Sequence, residues 1–362
     1  MSPQTSRSAF VRSDYLIFGG SFLAMALAGL TRYWGVNSLI AFICSAVAVA
    51  VLATLVGRSV EQLGDRFGPG ATGVLQSALG NLPELFIALF ALKAGLIEVV
   101  RAAIIGSILA NLLLVMGLCF LVGGLKHGTQ QLGSSRARAI TVLMVLSVAA
   151  LVLPSLASYI HAPASQHENT LSIITAVILL LLFILTLPAS LKKGSTEMSS
   201  SEGKADSAAS WPLAWAIILL TLAAIGAAFV SDWFVHALEP AMKALHISDA
   251  FAGLVIIAIA GNAIENVVGI QLALKNQSSF AYAVVVNSPL QIALVLAPLI
   301  VILSQVLGFA PFTLVFSPML VVSVAIAVIM SAFITFDGES NWIEGAALIA
   351  VYGIIATSFW WG

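Results

Sequence analysis

The sequence predicts an all-α integral membrane protein with about eleven transmembrane helices, in which two halves of the chain repeat each other in inverted orientation. Three observations predict this fold class. Of the 362 residues, 60% are hydrophobic and only 9% are charged, whereas a soluble domain has about 25% charged residues. Apolar runs long enough to cross a bilayer, roughly 20 residues each, follow one another along the chain. A pair of polar motifs also recurs after a constant interval.

The apolar runs define the predicted spans. They lie at about 15–31, 36–57, 71–93, 99–123, 137–160, 170–190, 212–236, 250–274, 280–306, 313–335 and 343–361. The longest polar stretch, Lys192–Ser210, is rich in serine, glycine and charge. Such a composition predicts a flexible linker between two sets of spans.

The distribution of positive charge predicts the orientation, because cytoplasmic loops of membrane proteins are enriched in lysine and arginine. With the N-terminus inside, eleven of the 15 lysines and arginines fall on inner segments and four on outer ones. We therefore expect a cytoplasmic N-terminus and linker. Because the chain carries no organelle signal, a bacterial inner (plasma) membrane is favoured over a vacuole.

The internal repeat is visible in two motifs on different spans. The first reads GNLPELFIALFALKAG and the second reads GNAIENVVGIQLALKN. A shift of 181 positions (261 − 80) aligns Gly80 with Gly261, Asn81 with Asn262, Glu84 with Glu265 and Ser107 with Ser288. The motifs lie on the third and eighth spans, an odd number apart, so the two halves enter the membrane in opposite senses. Inverted repeats are typical of transporters, whose site lies near the bilayer midplane between the halves.

Each motif places a carboxylate inside an apolar span, which costs at least ~2.5 kcal/mol at the bilayer centre. Such a residue usually faces protein or water and serves a function. Gly80 and Pro83 should weaken the helix just before Glu84, and Gly261 should loosen the helix before Glu265. The freed carbonyl oxygens could then line a polar cavity.

If the repeats bring Glu84 and Glu265 together, the two carboxylates form a binding site for a divalent cation. Hard cations prefer oxygen ligands, and Ca2+ takes about 6–8 of them. The candidate neutral ligands near the pair are Asn81, Asn262, Ser107, Asn111, Ser288 and Gln291, with the backbones of Gly80 and Gly261. Without the cation, two neighbouring acids in low dielectric would repel each other and take up protons. An alternative is that protonated glutamates and buried asparagines only link helices.

Other function classes are less well supported. The sequence has no basic patch with interleaved aromatic residues, which speaks against nucleic acid. The histidines and cysteines form no soft ligand set for zinc or copper, no cofactor is indicated, and no H-E-x-x-H motif points to an enzyme. A passive cation channel is an alternative from another class, but two inverted repeats in one chain favour a transporter.

At these motifs the chain resembles the calcium/cation–proton antiporter (CAX) family of the sodium/calcium exchanger superfamily. The resemblance rests on the two motifs together with GSILANLLLVMG and NSPLQIALVLAP, and it extends over both halves. It implies an N-terminal helix followed by two inverted five-helix repeats. The implied domains are 1–35 (tail and first helix), 36–190 (first repeat), 191–211 (cytosolic linker) and 212–362 (second repeat). It also implies that Glu84 and Glu265 alternately bind Ca2+ and protons.

Two departures from the family pattern bear on the coupling ion. Asn266 stands where the family has a histidine, and Pro83 resembles the proline–glutamate pair of sodium/calcium exchangers. Exchange of a cation for Na+ is therefore the close alternative to exchange for H+. The expected partners are Ca2+ and H+ or Na+ as transported ions and the lipid bilayer, and the sequence is compatible with a homo-oligomer.

Overall fold

The computed structural model of the chain is almost entirely helical. It describes residues 10–67, 75, 76, 79–197 and 211–361. The first half contains α1 (Arg12–Tyr33), α2 (Ser38–Phe67), α3 (Leu82–Lys93), α4 (Ile97–Leu109), α5 (Met116–His127), β1 (Gln130–Gln131), α6 (Ser134–Tyr159) and α7 (Glu168–Glu197). The second half contains α8 (Leu213–Leu245), α9 (Asp249–Phe251), α10 (Ala258–Gly261), α11 (Ala263–Leu274), α12 (Ser278–Gln291), α13 (Ala297–Val306), α14 (Pro318–Ile334), β2 (Glu339–Ser340) and α15 (Trp342–Ser358).

Three π-helical segments join shorter helices into continuous spans. Ala110–Val115 connects α4 to α5, Ala252–Ile257 connects α9 to α10, and Ile292–Leu296 connects α12 to α13. A π-helical turn inserts an extra residue into the helix and is frequent at functional sites. All three segments lie within or directly beside the polar motifs.

The described helices lie at the positions of the predicted spans, with one gap. Within the described residues, seven helices are long and apolar enough to cross a bilayer, or eight if the bent pair Asp249–Gly261 and Glu265–Leu274 is one span. The shorter apolar helices α14 and α15 match the last two predicted spans. The predicted span 71–93 lies partly outside the described residues. The membrane fold class is confirmed, and the count of eleven stays a prediction.

Several predicted boundaries differ from the structure, and two of these differences have a simple local cause. The helix α14 begins at Pro318 rather than near 313, because proline suits the first helical turn and the Ser317 hydroxyl caps it. The helix α7 continues to Glu197, into the predicted linker. Leucine and lysine are good helix formers, so the helix extends past its apolar part. Residues 198–210 of the linker lie outside the described residues.

The chain divides into two compact units. One is drawn from Met1–Ile87 and Ile184–Leu238, and the other from Ala88–Phe183 and Glu239–Gly362. Each unit therefore takes segments from both predicted repeats. The domain boundaries expected from the repeat stay a prediction.

In the first unit, a buried carboxylate ties three segments together. The Asp14 side chain is fully buried, and it accepts hydrogen bonds from Trp211 Nε1 at 2.8 Å and from Arg58 Nε at 3.2 Å. The Trp211 backbone N–H donates to Gln62 Oε1 at 2.8 Å. A buried charge needs such partners. The junction fixes the starts of α1 and α8 against the end of α2.

In the second unit, glycines allow helices to cross at very short range. A Cβ atom on Gly106 would lie 2.4 Å from Leu254 Cα, and one on Gly253 would lie 2.3 Å from the Val99 carbonyl oxygen. Small residues at helix crossings let backbones approach in this way. The crossing holds α4 against the span that leads into the second motif.

Loops of the second unit that the predicted alternation puts on one side of the membrane contact each other. Lys126 Nζ donates to the Leu274 carbonyl at 3.0 Å, and β1 pairs antiparallel with β2. Among the loops predicted for the other side, Gln305 Nε2 donates to Asn169 Oδ1 at 2.7 Å. These contacts agree with the alternation of spans. Which side is cytoplasmic stays a prediction.

Candidate cation site

In the first motif, a turn interrupts the helix just before Glu84. Gly80 and Asn81 form a turn, and α3 starts directly after them. Pro83 lies in the first helical turn, where its missing N–H costs no intrahelical hydrogen bond. Glu84 is buried in the same turn. The predicted break before Glu84 is therefore present.

The second motif repeats this arrangement. The helix α10 ends at the buried Gly261, and Asn262 has φ −89° and ψ 22°. The helices on either side of this break are bent by 60°. Glu265 lies partly buried in the first turn of α11. Each glutamate therefore sits at a helix N-terminus, where the helix dipole favours negative charge.

Four of the predicted ligand residues come together in the second unit. Asn111 Nδ2 donates to Asn262 Oδ1 at 2.6 Å, to the Ser107 carbonyl at 3.0 Å and to Ser288 Oγ at 3.3 Å. Ser288 Oγ donates in turn to Asn262 Oδ1 at 3.1 Å. Asn262 Nδ2 is held by the Ala258 carbonyl at 2.8 Å. This amide network links α4 and its π-helical segment to α12 and to the break after α10.

The amide network leaves one acceptor without a partner. The Asn111 orientation is set by its contacts, since a flipped amide would point its oxygen at the oxygens of Ser107 and Asn262. Asn111 is fully buried, and its Oδ1 has no hydrogen-bond partner among the described residues. Because an unsatisfied buried polar atom is costly, such an atom indicates a place for a water or an ion.

Several other buried side-chain atoms share this property within the described part of the chain, and two of them belong to asparagines of the repeated motifs. These two atoms are Asn81 Nδ2 and Asn266 Oδ1. The sequence pointed to Asn266 only through its departure from the family pattern, and nothing in the sequence pointed to the Ala258 carbonyl. Both could have been found from their spacing, since each lies four residues from Asn262 on a helical path.

The other predicted ligands are less directly connected. Gln291 is buried at the end of α12, directly before the π-helical segment. No hydrogen bond between described residues joins the side chains of Gln291 or Glu265 to the amide network. Glu84 and Asn81 belong to the first compact unit and Glu265 to the second. The convergence of Glu84 with Glu265 stays a prediction.

The family model described as "Sodium/calcium exchanger protein" matches residues 37–192 and 215–361. The chain belongs to the sodium/calcium exchanger family. The resemblance inferred from the paired motifs is therefore confirmed, and the family match covers both predicted repeats of this exchanger-family protein.

Individual relatives resemble the chain over nearly its whole length. It is 36% identical to the Ca(2+)/H(+) antiporter ChaA of Bacillus subtilis (strain 168), over 95% of this chain and 98% of that protein. It is 35% identical to a Ca(2+)/H(+) antiporter of Aphanothece halophytica, over 93% of this chain and 94% of the relative.

Solved structures share the fold. The structure of native YfkE matches with a TM-score of 0.80 and 34% identity, covering 95% of this chain and 99% of that one. The crystal structure of the H+/Ca2+ exchanger CAX matches with a TM-score of 0.69 at 18% identity, covering 95% of this chain and 92% of the other. At that identity the second match bears on the fold alone.

Proposed function

We propose that this exchanger-family protein is a secondary-active antiporter that exchanges Ca2+ for H+ across a membrane by alternating access. Glu84 and Glu265 form the shared cation and proton site. One observation carries the proposal: two glutamates occupy equivalent first-turn positions after equivalent helix breaks. The chain that holds them is similar to proteins named as Ca2+/H+ antiporters, which are transporters rather than enzymes.

The chemistry of the surrounding residues suits Ca2+ as the transported substrate. Two carboxylates balance the charge of a divalent ion, and the amide and hydroxyl groups add neutral oxygens. The unpartnered Asn111 Oδ1 is the neutral oxygen best prepared to bind. The full proposed ligand set is Glu84, Glu265, Asn81, Asn262, Ser107, Asn111, Ser288 and Gln291, with the backbones of Gly80 and Gly261.

Proton coupling follows from the same carboxylates. When Ca2+ leaves, two acids in a medium of low dielectric repel each other, and protonation relieves the repulsion. Ca2+ and protons therefore occupy the site in turn. The protein needs no resident cofactor for this cycle.

Exchange for Na+ is the second candidate, and Asn266 is the observation that favours it. The Asn266 amide, next to Glu265 in the chain, cannot take up or release a proton, and its buried Oδ1 atom has no partner among the described residues. Such an oxygen could serve a Na+ ion. We further propose a bacterial inner membrane with a cytoplasmic N-terminus as the location, and a homo-oligomer is compatible with the fold.

The test is 45Ca uptake into proteoliposomes under imposed pH or Na+ gradients. The wild type should take up Ca2+ when the pH gradient is imposed, and Glu84→Gln and Glu265→Gln should each lower this uptake at least ~100-fold. Uptake driven by Na+ and indifferent to pH would replace H+ by Na+ as the coupling ion. Electrically leaky flux that follows neither gradient would indicate a channel.

The matched control is Glu239→Gln. Glu239 is an exposed glutamate whose described contact is an ion pair with Lys243 at 2.7 Å. Surface pairs of this kind contribute little to stability. The control variant should transport like the wild type, which separates the loss of a site carboxylate from the loss of any carboxylate.

A further inference from the structure

An extended segment, residues 309–317, crosses the second unit between α13 and α14, and we call it the strap. Its side chains alternate between buried and partly exposed, and Phe312, Leu314 and Phe316 are at most 1% exposed. Alternation is typical of extended chain. The strap pairs with no strand within the described residues, so its inward-facing backbone groups need other partners.

Three buried serine hydroxyls supply those partners. Each serine comes from a different helix, and each accepts a hydrogen bond from an alternate backbone N–H of the strap. Ser304 of α13 accepts from Phe312 at 3.1 Å, Ser172 of α7 accepts from Leu314 at 3.0 Å, and Ser155 of α6 accepts from Phe316 at 2.9 Å. Ser155 Oγ also donates to the Leu314 carbonyl at 3.1 Å.

A fourth helix joins the strap through a side chain. Arg101 Nη2 donates to Thr313 Oγ1 at 3.1 Å. Arg101 lies on α4, less than two turns before Ser107. Ser304 lies on α13, which continues through a π-helical segment from the helix that carries Ser288. The strap therefore holds one end of two of the three spans that contribute to the amide network, the two that carry Asn111 and Ser288.

We propose that Ser155, Ser172 and Ser304 are positioning residues for cation binding. Through the strap they fix the ends of α4 and α13 relative to α6 and α7. This keeps the Asn111 amide in contact with Ser288 and Asn262. The transport consequence rests on the proposed function, whereas the positional consequence can be measured without transport.

The positional test is hydrogen exchange of the purified protein by mass spectrometry. Ser155→Ala removes the hydroxyl that accepts from the Phe316 N–H and donates to the Leu314 carbonyl. The rate of amide hydrogen exchange should therefore rise about 10-fold in peptides covering 309–317. It should also rise in the peptides that contain Asn111 and Ser288. The control is Ser147→Ala on the same helix, because the hydrogen bond of the buried Ser147 hydroxyl, among the described residues, goes to the Leu143 carbonyl of its own helix. It should leave these peptides unchanged.

The functional test is the dependence of 45Ca uptake on Ca2+ concentration. Each of the three serine-to-alanine variants should raise the KM for Ca2+ by about 3- to 10-fold with a smaller change in maximal rate, as for changes along a coupled network. Thr313→Val should raise the KM for Ca2+ less. Because Thr313 is partly exposed, this variant tests the strap even if the buried serine variants misfold.

The outcomes separate the two proposals. The positioning role is overturned if hydrogen exchange becomes faster in the strap but stays unchanged around Asn111 and Ser288. It is also overturned if the KM for Ca2+ of the three serine variants equals that of the wild type. Equal effects of Ser147→Ala and Ser155→Ala overturn it as well. Absence of uptake by the wild type contradicts the proposed function, and hydrogen exchange alone then decides the positioning role.

Discussion

The segment after each glutamate folds in the same way in the two halves of the chain, down to single backbone hydrogen bonds. The helix Leu82–Lys93 corresponds to Ala263–Leu274 at a shift of 181 (263 − 82). Each ends in a left-handed residue at the same offset, Gly95 with φ 80° and Asn276 with φ 61°. The next span in each half also contains a π-helical segment at the matching place. Backbone geometry has therefore been retained at both positions.

The side chains around this shared backbone differ. The counterpart of Gly106, at the helix crossing, is the exposed Asn287. The counterpart of Asn111, the centre of the amide network, is the fully buried Ile292. The comparison indicates that the two glutamates and their helix breaks are equivalent, while Asn111, the amide at the centre of the network, has no polar counterpart in the second half. Each prediction below tests one part of this comparison.

The largest effect is expected where the halves are equivalent. Glu84→Gln and Glu265→Gln should each lower Ca2+ transport at least ~100-fold, because removing the charge of one of the two site carboxylates costs several kcal/mol of cation binding. If the two glutamates bind the same cation, Ca2+ transport by the double variant should be no lower than that by either single variant. The measurement is initial 45Ca uptake at matched protein amounts. Losses that multiply in the double variant would mean two independent sites.

The next largest effect is expected at the helix crossing. Gly106→Ala should destabilise the protein by about 1–3 kcal/mol, because the new methyl group meets the backbone of the crossing span. Asn287→Ala, at the equivalent exposed position, should leave stability within about 0.5 kcal/mol of the wild type. Thermal unfolding in detergent, followed by size-exclusion chromatography, measures both. Equal melting curves for the two variants would remove the crossing as a difference between the halves.

The amide network should have a smaller effect, on affinity. Asn111→Leu removes the amide that holds Asn262, Ser107 and Ser288, which should raise the KM for Ca2+ about 10-fold at a cost of roughly 1.4 kcal/mol. Ile292→Leu changes the equivalent position without changing polarity and should stay within about 2-fold. Concentration-dependent uptake by both variants gives the ratio. A KM unchanged in Asn111→Leu would exclude Asn111 from the site.

The membrane fold, the repeat and the helix breaks could be predicted from sequence, because rare polar residues stand out against an apolar background. The burial of Asp14 could not, because a lone acid next to a polar tail looks solvated. Its partner Trp211 lies 197 residues away, and no periodicity reports a contact of that range. The apolar pattern places only residues 313–317 of the strap in a predicted span, although the alternation in PFTLVFS, between Pro311 and Pro318, indicates an extended segment. The π-helical segments have no compositional signal.

The smallest expected effect concerns the turn that the two halves share. A Cβ atom on Gly95 would meet nothing within 4 Å, so only its positive φ resists a side chain. Gly95→Ala should therefore cost about 1 kcal/mol of unfolding free energy. Asparagine already tolerates this conformation, so Asn276→Gly should change stability by less than about 0.5 kcal/mol. Thermal unfolding of the two variants beside the wild type measures the difference. Both turns are exposed and lie outside the amide network, so transport should be unaffected in either variant. If Asn276→Gly lost as much stability as Gly95→Ala, side-chain contacts rather than the left-handed backbone would hold the second turn.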